Sequence, residues 1–90
     1  MVMDDREIDL AIAKIEYPET RNLKLWIDQK MVSYTDGWYD IGPIIEREGI
    51  GVRPVQSRWE AFHGSSIAIA DTPTKAVALV FLKIKGIEHA

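Results

Sequence analysis

The sequence predicts an α+β domain: three helices packed on a small antiparallel sheet of three or four strands. Three observations carry that expectation. Segments with an apolar repeat near 3.6 residues open at good cap residues, Asp4, Asp40 and Thr72. Between the last two lie short alternating runs, at residues 50–54, 58–63 and 67–70, parted by turn residues. Finally, 90 residues suffice to close one hydrophobic core and not two, so residues 1–90 are expected to form a single domain.

The first helix follows Asp4, with Glu7 placed to complete a capping box and acids in the positive first turn. Ile8, Ala11, Ile12 and Ile15 fall on one stripe, and Leu10 lies off it. Tyr17-Pro18 ends the helix, because a residue before proline is pushed out of helical geometry. In the next stretch Leu23, Leu25 and Ile27 alternate with Lys24, Trp26 and Asp28, and Met31 to Tyr34 is a second β-prone run. A hairpin around Gln29-Lys30 or one irregular segment both fit.

Asp40 reads as the cap of the second helix, with Pro43 in its first turn, where a missing N–H costs nothing. Ile41, Ile44 and Ile45 share a face, and Gly49 is placed to end the helix in the left-handed conformation with Ile50 packing back on Ile45. In "GPIIEREGIGV" the glycines follow a helix and precede a strand. A phosphate cradle needs the reverse order, so these residues read as structural punctuation. Gly51 marks a bulge or a close backbone approach. The runs at Ile50–Pro54 and Arg58–His63 then pair as a hairpin through Val55–Ser57, and Ile67–Ala70 supplies a third strand.

Thr72-Pro73 opens the last helix, whose main stripe is Val77, Val80, Phe81 and Ile84. Leu79 and Leu82 lie on the opposite side, where a surface helix is ordinarily polar. Such a helix lies between a sheet and another helix, or presents Leu79 and Leu82 as a homodimer interface.

Composition excludes several function classes. Eleven basic and fourteen acidic residues, spread along the chain, give a formal charge of −3 and no basic nucleic-acid footprint. Without cysteine there is no disulfide, thiolate chemistry or Cys-based metal site. The acidic start MVMDDREID differs from a secretory signal, and the apolar run Ala76–Leu82 falls far short of the roughly 20 residues that span a bilayer. A cytoplasmic protein without a membrane partner is expected.

Of the two histidines, His89 stands at the chain end. His63 neighbours Ser65-Ser66, but no nucleophile-elbow motif or orienting acid accompanies it. The carboxylate pairs Asp4-Asp5, Asp36 with Asp40 and Glu46 with Glu48 lie at turns and helix ends, where capping and solvation explain them. No metal motif is present, and the reading is a protein with no catalytic site and no cofactor. The aromatics are a better clue. Trp38 and Tyr39 follow a turn, and Trp59 lies near Arg53 and Arg58; Trp and Arg dominate binding hot spots. Trp59 reads as core, while Trp38, Tyr39, Arg53 and Arg58 are the candidate binding residues. Arg47, Arg53, Arg58 and exposed aromatics would serve an alternative nucleic-acid module, against which the acidic total counts.

"DIGPIIEREGIGV", then Trp59-x-Ala61, then "TPTKAVALVFLKIKG" resemble the NinX-like family of small bacteriophage proteins, named from the nin region of lambda-type phages. The likeness covers roughly half the chain, residues 40 to 85, and extends to the acidic start of the first helix; Glu16 to Tyr34 do not match. It concerns helix boundaries and core positions, so it implies a fold and a phage or prophage origin and carries over no functional residue. What it implies is an accessory protein acting inside the bacterial host by binding a host or phage protein.

Overall fold

The computed structural model describes residues 3–87; His89 lies outside the described residues. The chain runs through α1 (Asp5–Glu16), α2 (Leu23–Asp28), α3 (Trp38–Glu48), β1 (Gly51–Val55), β2 (Arg58–His63), β3 (Ser66–Ala70) and α4 (Pro73–Ile84). The three strands form an antiparallel meander in the order β1-β2-β3. The fold is α+β, with one more helix than the sequence pattern predicted. No helix is long and apolar enough to cross a membrane among the described residues.

Local chemistry accounts for most boundaries. Asp4 accepts from the Glu7 N–H at 2.8 Å and Glu7 returns the bond to the Asp4 N–H at 3.1 Å, the full capping box. Thr72 caps α4 through the Lys75 N–H at 3.2 Å, with Pro73 in the first turn. Gly49 ends α3 at φ 69°, in the left-handed region, and the Ile50 N–H reaches back to the Ile45 carbonyl at 3.2 Å as the Schellman geometry requires.

α2 occupies the stretch expected to be a hairpin or irregular. Leu23 and Ile27 are buried and Trp26 is half-buried, an i, i+3, i+4 pattern as good as the alternation of Leu23, Leu25 and Ile27. Six residues cannot separate the two periods. Packing against α1 decides for the helix, leaving Leu25 half exposed. Met31–Tyr34 is likewise no strand: Met31 is exposed and Tyr34 buried in a loop.

The start of α3 also differs. The cap is Gly37 and the first helical residue Trp38, so Asp40 lies inside the first turn and Pro43 in the second. Asp40 does not cap because its carboxylate takes the Ser33 N–H at 3.0 Å. Pro43 therefore withholds an N–H from the carbonyl of Tyr39, at a residue 91% exposed where water can replace it.

The core lies on both sides of α4. One side meets β2 and β3, whose inward residues Ala61, Ala68 and Ala70 are small enough to bring helix and sheet close. The other meets α1 and α3, which contribute Ile8, Ile12, Ile41 and Ile44, all at 1% exposure or less. This is why α4 is apolar nearly all round. Leu82 is fully buried in this core and Leu79 is half-buried against the same cluster. Leu82 therefore belongs to the core, as expected of a helix placed between sheet and helices, and its side chain is withdrawn from the surface on which the alternative dimer interface was built. Trp59 packs partly buried on the core, as expected.

At Gly51 the close-approach reading holds. Gly51 faces Phe62 across the β1–β2 ladder, and an added Cβ would fall inside van der Waals contact of the Phe62 ring.

Candidate functional site

Residues 31–37 have no regular structure, yet Tyr34 and Thr35 are buried at 3% and 5% exposure. Buried backbone N–H groups need partners from elsewhere. Asp9, on the inward side of α1 and 4% exposed, supplies them. One carboxylate oxygen accepts from the N–H groups of Tyr34 and Thr35, both at 2.9 Å, and the other from the Thr35 hydroxyl at 3.2 Å. The hydroxyl of Thr74 on α4 donates to the Thr35 carbonyl at 2.7 Å, and Asp40 on α3 holds Ser33. Side chains from three helices thus fix one loop.

Burial pushes the Asp9 carboxyl above its ordinary range, against the opposing effect of hydrogen bonds from Tyr34 and Thr35. Burial also pushes the Tyr34 phenol well up, so its ring stays neutral.

The clamped loop leads directly into α3. Gly37 lies against the Ser33 carbonyl, and a Cβ there would sit 2.5 Å from that oxygen. The first two residues of the helix face outward: Trp38 is 56% and Tyr39 91% exposed. Two large aromatic side chains therefore stand in water at the start of a helix whose preceding loop is anchored by the buried, hydrogen-bonded Tyr34 and Thr35.

Arg53 and Arg58 lie elsewhere, on the face of the sheet turned away from α4. Arg53 pairs with Glu60 at 2.6 Å and its guanidinium sits 5.2 Å from the centre of the Phe62 ring; Arg58 pairs with Asp71 at 3.1 Å. The same face exposes Ile67 and Ile69. Arg47, on α3, pairs with Glu16 at 2.9 Å and Glu48 at 3.0 Å. The four candidate binding residues thus divide into an aromatic pair on α3 and an arginine pair on the sheet. All three arginines of the nucleic-acid alternative are engaged by carboxylates, which reduces the positive charge available to a phosphate backbone.

His63 is exposed at the end of β2, opposite Ser66 in the β2–β3 ladder. Among the described residues no group of three or more His, Asp or Glu side chains is placed to hold a metal ion.

Asp9 escaped the sequence reading because its partners are 25 and 26 residues away. Helical spacing sets Asp9 beside the stripe of Ile8, Ala11, Ile12 and Ile15, next to Ala13, so the apolar repeat carried no signal of its burial.

Sequence and geometry together define a small α+β domain with a three-stranded sheet covered on one face by α4. Comparisons with protein families, with curated proteins and with solved structures found no match.

Proposed function

We propose that this chain is a non-enzymatic accessory protein that works by binding another protein, with Trp38 and Tyr39 as the principal contact. The observation that carries this reading is the exposure of the two neighbouring aromatics above the loop that Asp9 clamps. Aromatic side chains supply large contact area for little conformational entropy, and a preformed turn lowers the ordering cost of binding further. The resemblance to the NinX-like phage proteins supplies the setting, a bacteriophage protein acting in the cytoplasm of its bacterial host on a host or phage protein.

The test is affinity capture from bacterial lysate, comparing the wild type with Trp38→Ala/Tyr39→Ala. Both side chains are exposed, so the double variant should keep its stability to within roughly 1 kcal/mol. Proteins retained by the wild type and lost by the variant support the proposal. Equal retention by both contradicts it.

A further inference from the structure

A second surface, on the far side of α1, has a different character. Leu10, Lys14, Pro18, Arg21, Lys24 and Leu25 are among the residues lining a groove of about 790 Å³ between α1 and α2. Its lining contains three cations and no carboxylate, in a chain whose formal charge is −3. Lys14, Arg21 and Lys24 make no ion pair among the described residues, and nor do Lys30 and Lys83, which lie outside the groove; Arg6, Arg47, Arg53, Arg58, Lys75 and Lys85 all do. Asp28, one turn along α2 from Lys24, is already committed to Arg6 through two bonds of 2.7 and 3.2 Å.

The floor between these cations is apolar. Leu25 is half exposed and Leu23 forms the base. Through Leu10 and Lys14 the groove continues into a second trough of about 380 Å³, which Met3, Ala11, Ile15 and Ile87 also line. The one carboxylate there, Glu7, is occupied in the cap of α1.

We infer that this groove binds an acidic amphipathic peptide segment of a partner protein, with leucine-like side chains on the apolar floor and carboxylates reaching Lys14, Arg21 and Lys24. The occupant follows from complementarity. Unpaired cations around a desolvatable floor favour a ligand with both acidic and apolar side chains, the helix-in-groove mode of recognition. A nucleic acid would use the cations and leave the floor empty, because no aromatic residue in the lining offers a base a stacking platform. The elongated course along α1 suits a peptide better than a compact small molecule. The site is independent of Trp38 and Tyr39 and stands or falls without them.

Selection of a random-sequence peptide library against the purified full chain tests it, with Lys14→Glu/Lys24→Glu as counter-target. The expected winners combine Asp or Glu with Leu, Ile, Met or Phe. They should bind the variant about tenfold or more weakly, and lose affinity as salt rises. Amide shifts of the wild type on adding a winning peptide should concentrate at residues 10–25, a readout that needs no substitution. Winners that are basic or uncharged, shifts centred elsewhere, no enrichment at all, or equal binding to a single-stranded oligonucleotide would each overturn the assignment.

Discussion

Replacing Asp9 by alanine and by asparagine separates the role of its oxygen atoms from that of its charge. In Asp9→Ala the N–H groups of Tyr34 and Thr35 lose their common acceptor while both residues remain buried. Each orphaned buried donor costs about 1–3 kcal/mol, so the pair costs about 2–6. The better helix propensity of alanine and the removal of a desolvated carboxylate offset part of this, leaving a loss of about 3 kcal/mol. That is a large share of the roughly 5–15 kcal/mol that holds a domain together.

Asp9→Asn behaves differently. Both backbone bonds go to one oxygen, which the amide oxygen reproduces, and the amide nitrogen can donate to the Thr35 hydroxyl where the carboxylate accepted from it. The loss should stay below about 1 kcal/mol. Urea unfolding followed by tryptophan fluorescence and by circular dichroism reads both. With a slope near 1 kcal/mol per molar urea for a domain of this size, alanine should lower the midpoint by about 3 M and asparagine by less than about 1 M. An asparagine variant as unstable as the alanine one, or an alanine variant within about 1 kcal/mol of wild type, would refute the account of Asp9 as a clamp for backbone donors.

Other outcomes follow from the same structure. The folded-state carboxyl of Asp9 titrates above its ordinary value of 3.8, so the folded state takes up its proton first as pH falls. The wild type should therefore gain stability relative to Asp9→Asn as pH drops from above that raised value to 3.8; a gap that widens in the other direction contradicts the burial argument. Gly51→Ala should cost about 1–3 kcal/mol in the wild type and close to nothing in a Phe62→Ala background, because the ring is what the new Cβ meets. Additive losses in a double-mutant cycle would show that the contact is unimportant. Leu82→Ala should cost about 2–5 kcal/mol in unfolding experiments, with light scattering showing no change of mass in the folded protein. Dissociation of a folded dimer on that substitution would restore Leu82 to an interface.

Where local chemistry sets an element, it was legible in the residues. The Asp4–Glu7 box, the Thr72-Pro73 start and the Gly49 stop each need only a few neighbouring positions. The meander was legible too, since β2 alternates Trp59 and Ala61 with Glu60 and Phe62, and close turns fix its register. What failed was settled by tertiary contact. Leu23–Asp28 carries a two-residue and a 3.6-residue pattern at once, and only packing on α1 chooses. Asp40 has the chemistry of a cap, but its carboxylate is recruited by Ser33, seven residues earlier, and the helix begins sooner. Of the candidate site, the exposed aromatics were named from residue type and turn context. Their support was invisible, because it joins α1 to a loop more than 20 residues away. Leu82 misled for a related reason: a helix buried on both sides and a helix with a sticky outer face have the same sequence pattern.

The proposed contact of Trp38 and Tyr39 with a partner protein can be read directly. A photo-crosslinking amino acid placed at Tyr39, and in a second sample at exposed Ser65 in the β2–β3 turn, tests it in living bacterial cells. Position 39 should yield a discrete higher-mass adduct that Trp38→Ala abolishes and that position 65 does not form. Matching adducts from both positions, or none from position 39, would contradict the account.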